Sequence, residues 1–158
     1  MKVALSRMKE VLKKFNKLGF TIDDVYKIAK RERVNIVFYA MGDGVKGYYQ
    51  TERKRVYRKK YICLNEKTSK DEILSVLLHE LAHHFLHVSP AVSRQTFFCR
   101  AVQLTNSKQD AEADAVALIL EIPQAKMFEL MDTNFEDITE FTPEKLKKRL
   151  WVYRNHGE

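Results

Sequence analysis

The stretch LSVLLHELAHHFLH, residues 74–87, restricts the fold more than any other part of the chain. Leu74, Val76, Leu77, Leu78, Leu81, Ala82, Phe85 and Leu86 make a helix that is apolar nearly all round, and such a helix belongs inside a fold. It also carries His79, Glu80, His83, His84 and His87. Burying that many titratable groups without partners would cost several kcal/mol. A bound metal ion removes the objection.

His79, Glu80 and His83 form H-E-x-x-H. Residues four apart on a helix differ by about 40° around the axis and about 6 Å along it, so both imidazoles can converge on one point. That convergence suits Zn²⁺, which takes histidine nitrogen at about 2.0–2.1 Å. Glu80 projects beside such a point and not onto it, where it can accept a proton from water. His84 points away from this face. His87 lies on the same side a turn later, but a third ligand from one straight helix would be stretched, which leaves it a packing or hydrogen-bonding role.

A third ligand is expected from QDAEADAVALILEIP, residues 109–123, whose Ala113 and Ala117 allow a close approach. Asp110 and Asp114 are four apart and share a face, while Glu112 points roughly the other way. If Asp110 coordinates zinc, Asp114 can receive a ring N–H from a ligand histidine and fix its tautomer. Glu112 is the alternative third ligand. An acidic first turn that favours the helix dipole accounts for Asp110 and Glu112 without any metal, but explains Asp114 less well.

The remaining pattern predicts one α+β domain over residues 1–158. A first helix keeps its period from Val3 to Leu18, and a second is capped by Thr21 and Asp24 and runs to about Arg33. VNIVFYA, YYQT and KYICLN read as a small antiparallel three-stranded sheet interrupted at MGDGVKG. Ser69 and Glu72 resemble a capping box opening the H-E-x-x-H helix, which ends before Pro90. Further helices are expected over about 109–121, from Pro123 onward, and over 142–154, the last with Leu146, Leu150 and Trp151 on one side.

With 28 basic and 21 acidic residues the net charge is +7. Six of the eight residues of RKRVYRKK, 53–60, are basic. Such a strip can attract nucleic acid or an acidic surface, and equally serves as a solvated hairpin edge. No apolar run is long enough to span a bilayer, and charges interrupt the N-terminus too early for a secretory signal, so a cytoplasmic protein is expected. Cys63 and Cys99 sit in unrelated contexts without a pairing pattern and are expected to be reduced thiols.

HELAHHFLH preceded by KYICLNEKTSKDEILSVLL and followed by DAEADAVALILEIP resembles the ImmA/IrrE family of metallopeptidases, peptidase family M78. Gly47-Tyr48-Tyr49 after a glycine turn and IAKRERVNIVFY resemble the family's N-terminal half, so the likeness covers about residues 20–123 and leaves 124–158 as C-terminal helices. It implies a zincin-like fold with H-E-x-x-H on a central helix. It also implies zinc held by His79, His83 and Asp110, the last where the family has glutamate, with Glu80 as the catalytic base. Val116 stands where the family usually has an aromatic residue. The implied substrate is a helix-turn-helix transcriptional repressor in a mobile-element or stress-response switch. Two rival readings are a zinc hydrolase of a non-peptide amide, and a basic DNA- or protein-binding module with a structural or vestigial metal. Tyr48, Tyr49 and His156 qualify by chemistry alone as donors to a transition state.

Overall fold

A computed structural model of the chain describes Ser6 and residues 19–100, 108–133 and 140–157. The helix expected over 3–18 lies outside these residues, apart from Ser6. The first described helix, α1 (Ile22–Glu32), starts as its sequence dictates. The Thr21 side chain accepts from the Asp24 backbone N–H, and the Asp24 carboxylate accepts from the Thr21 backbone N–H at 3.1 Å. It ends at Arg33, in the left-handed region at φ 55. Val25, Ile28 and Ala29 turn inward.

Four strands follow the sheet order β1–β3–β2–β4: β1 (Asn35–Tyr39), β2 (Val45–Arg53), β3 (Arg58–Asn65) and β4 (Arg94–Arg100). The expected three-stranded antiparallel sheet is therefore corrected to a mixed sheet of four strands among the described residues. β2 pairs antiparallel with both β3 and β4, while β1 runs parallel to β3. Burial explains the order. Ile62, Cys63 and Leu64 make β3 the most continuously apolar strand, and it takes the interior place between β1 and β2. β4 had no counterpart among the expected strands.

Gly47 lies inside β2 and not in a turn. A Cβ there would stand 2.9 Å from both the Cys63 carbonyl and Val76 Cγ1, so glycine lets the next helix lie against the sheet. That helix, α2 (Lys70–Leu86), has Ser69 as its N-cap residue, but the expected capping box does not form: the Ser69 hydroxyl donates to the Glu72 carboxylate at 3.1 Å, leaving the backbone N–H groups uncapped by its side chain. α2 packs on β2, β3 and β4 and against α1 and α3 (Lys108–Glu121). Ala113 and Ala117, on α3, are buried.

α4 (Gln124–Met131) has Pro123 as its N-cap residue, and α5 (Pro143–His156) is capped by Thr142, whose hydroxyl accepts from the Lys145 N–H. On α5 the buried positions are Leu146, Arg149 and Val152. Trp151 is 58% exposed, so the inward stripe is rotated from the expected one. Arg149 is fully buried, and its Nε donates to the Ile122 carbonyl at 2.6 Å. Lys145 reaches Glu121 at 2.7 Å and Ser75 at 2.9 Å, tying α5 to α3 and α2. Among the described residues no helix is long and apolar enough to cross a membrane.

Candidate metal centre

α2 places His79, Glu80 and His83 where α3 and β4 meet it. His79 is 4% exposed, and Glu80 and His83 are fully buried. The helical spacing brings the two Nε2 atoms within 3.1 Å of each other, with the rings edge-on at 71°. α3 supplies the acids. Asp110 Oδ1 lies 3.4 Å from His83 Nε2, and Asp114 Oδ1 lies 2.7 Å from His79 Nδ1. Ligand atoms of His79, His83 and Asp110 all lie within 4.8 Å of one another. Glu112, the alternative third ligand, instead faces His87 Nε2 at 3.3 Å, and His87 Nδ1 lies 2.8 Å from His83 Nδ1.

The neighbours set the protonation of each group. Burial alone would hold His79 low, but the hydrogen bond to Asp114 and the charges of Glu80, Asp114 and Asp110 outweigh it and raise its pKa. His83 is pushed down to about 2 by burial and by the adjoining histidines, so it is neutral. Glu80 is pushed up to about 8, mainly by burial. The backbone groups of Tyr49 and Cys99 oppose that rise, yet neither Glu80 oxygen makes a hydrogen bond of ordinary geometry.

Sequence reasoning missed two neighbours. Phe97 stacks on the His83 ring, with centroids 4.6 Å apart and planes at 16°. Cys99, two residues on and facing the same side of β4, joins His79 and Glu80 in a second group of possible ligands. The cysteines therefore differ in setting: Cys99 adjoins the centre, while Cys63 is buried on β3 opposite Tyr48 of β2. Both are free. The alternation of Phe97 and Cys99 was the available signal, and it is readable only once residues 94–100 are seen as a strand.

The donor set fits a divalent cation. The Asp114 carboxylate can only accept, so the proton of neutral His79 sits on Nδ1 and the Nε2 lone pair faces His83. Two neutral imidazoles and a carboxylate form a zinc-type set with room for a further ligand. A cation among them would also favour the ionised form of the orphaned Glu80 carboxyl. His79, Glu80 and Cys99 form a rival set, in which burial pushes the Cys99 thiol up to about 12 before any cation is bound.

The other candidates lie elsewhere. His84 turns to the Tyr49 hydroxyl at 3.0 Å and to Glu32 at 3.7 Å. Tyr48 packs beside Phe98, and His156 against Trp151. Several cations of the basic strip are committed within the chain. Lys54 binds Glu52, Arg58 donates to the carbonyls of Pro90 and Val92, and Lys60 donates to the carbonyl of Glu32.

A family model described as the IrrE N-terminal-like domain, Peptidase_M78, matches residues 29–154. A protein of Bacillus phage phi105 described as "Uncharacterized immunity region protein 2" is 26% identical over 113 residues, covering 70% of this chain. The match spans 65% of that relative's own length.

Proposed function

Because the chain belongs to the M78 peptidase family, with its IrrE N-terminal-like domain, we propose that it is a zinc-dependent endopeptidase. His79, His83 and Asp110 hold the metal, and Glu80 is the catalytic base. The observation that carries this reading is the convergence of the two histidine Nε2 atoms, 3.1 Å apart, with the Asp110 carboxylate, beside a buried Glu80 carboxyl that has no hydrogen-bond partner. Zinc, when bound, supplies a Lewis acid that polarises a carbonyl and acidifies water.

The protein groups do the rest. His79 is held in one tautomer by Asp114, so its lone pair is preset toward the metal. Glu80 takes the proton of the attacking water and returns it to the leaving amine. Its fully buried setting keeps bulk water from competing for that proton. Among the described residues β4 is an edge strand of the sheet, and Phe97 on it stacks against His83. An extended peptide adding to that edge would pass the centre with its backbone hydrogen-bonded, which favours a peptide over a non-peptide amide as substrate.

The substrate we propose is a helix-turn-helix repressor, as the family resemblance implies. The phage relative's description as an immunity region protein supports a repressor-related role. The test is incubation of the zinc-loaded protein with a helix-turn-helix repressor encoded beside its gene, with fragments read by mass spectrometry. Defined cleavage is expected. Glu80→Gln should retain metal and lose about 10²–10⁴-fold in rate. Unimpaired turnover by that variant would remove Glu80 from its role.

A further inference from the structure

His87 and Glu112 stand outside the proposed metal set, yet His87 touches it at His83. His87 is the residue just past α2, with its N–H donating to the His83 carbonyl at 3.0 Å. Its side chain is 5% exposed, and that of Glu112, on α3, 13%. Four atoms form a chain: Glu112 Oε2 to His87 Nε2 at 3.3 Å, and His87 Nδ1 to His83 Nδ1 at 2.8 Å.

We propose that His87 and Glu112 form a relay that fixes the tautomer of His83 and directs its Nε2 lone pair into the metal centre. The polarity follows from the donor inventory. A carboxylate only accepts, so the His87 nitrogen facing Glu112 carries the N–H. In a neutral ring the other nitrogen, Nδ1, then holds a lone pair. The His83 Nδ1 that meets it must be the donor, which leaves His83 Nε2 unprotonated; without metal it accepts at 3.1 Å from His79 Nε2 when that ring is an imidazolium, and it faces Asp110 at 3.4 Å. Reverse the relay and the proton lands on His83 Nε2, where it blocks coordination. Glu112 therefore sets the direction, His87 transmits it, and the stacked Phe97 ring holds the His83 plane.

The arrangement parallels Asp114 on His79, with an imidazole interposed because Glu112 pairs with His87 and not with His83. Both are positioning residues, since they act through His83. The relay's consequence for metal rests on the proposed zinc site, but the hydrogen-bond chain itself does not.

The experiment uses full-length protein with ¹⁵N-labelled histidine at pH 8, above the ordinary imidazole range. Long-range ¹H–¹⁵N spectra of the metal-free protein report the His83 tautomer, and chelator competition reports zinc affinity. Wild type is expected to show His83 protonated at Nδ1. Glu112→Leu and His87→Phe should shift that population toward Nε2–H and weaken zinc binding about 10–100-fold, the usual effect of removing such a partner. His83→Ala should weaken it much further. If His87→Phe fails to fold, Glu112→Leu decides the matter alone. An Nε2–H His83 in wild type, or an unchanged tautomer and zinc affinity in Glu112→Leu, overturns the relay. So does a His87→Phe loss equal to that of His83→Ala, which would make His87 a ligand. If wild type binds no zinc, the metal reading fails, while the tautomer in the metal-free protein still decides the relay.

Discussion

Glu80→Met should make the metal-free protein more stable while destroying the proposed peptidase activity. Both Glu80 oxygens are buried without a hydrogen bond, and the residue is fully buried. An unsatisfied buried polar group costs about 1–3 kcal/mol. Titration gives a similar size. With the carboxyl pushed from 4.5 up to about 8, folding at pH 7 requires it to take up a proton, at a cost of about 3 kcal/mol. Methionine has similar volume, and its flexible thioether fills irregular space. A gain of about 1–3 kcal/mol corresponds to a rise in Tm of roughly 2–10 °C for a chain of this size.

The sign with pH is also fixed. The native state binds the extra proton, so the wild-type penalty is absent below about pH 4.5, grows as pH rises, and levels off above about 8. The advantage of Glu80→Met should grow over the same window. Calorimetry of chelator-treated wild type and variant at pH 5 and pH 8 measures it. A variant less stable than wild type at pH 8, or an advantage that shrinks with rising pH, would show that Glu80 has a structural partner and refute the reasoning.

Other perturbations have defined outcomes. Asp114→Ala should weaken zinc binding about 10–100-fold by chelator competition, since it removes the 2.7 Å contact to His79 Nδ1, with little change in the urea midpoint of the metal-free protein. Gly47→Ala should cost about 1–3 kcal/mol in urea denaturation, because its Cβ would stand 2.9 Å from the Cys63 carbonyl and Val76. Arg149→Ala should cost about 2–5 kcal/mol by the same measurement, since it empties a fully buried position and strips the Ile122 carbonyl of its 2.6 Å donor.

Local signals in the sequence were the reliable ones. Thr21 and Asp24 mark the start of α1, Thr142 and Pro143 that of α5, and both caps form because they need only residues three apart. The i, i+4 spacing likewise places His79 and His83 together, and Asp110 with Asp114. What escaped depends on distant pairing. That β3 enters between β1 and β2, and so lies parallel to β1, is decided by which strand best tolerates burial on both sides. β4, with Arg94 and Gln95 at one end and Arg100 at the other, has only Phe97, Phe98 and Cys99 to announce it. Missing it hid Cys99 and Phe97 from the centre. The meeting of Glu112 with His87 depends on the register of α3 against α2, which no local pattern encodes. Ser69 failed as a cap because its hydroxyl had a competing acceptor in Glu72.

Anomalous diffraction at the zinc edge from crystals of the zinc-loaded protein tests the central claim most directly. The account predicts one peak about 2.0–2.2 Å from His79 Nε2, His83 Nε2 and an Asp110 oxygen, with a further position open to solvent. A peak coordinated by Cys99 or Glu112, or one enclosed by four protein donors, would contradict it.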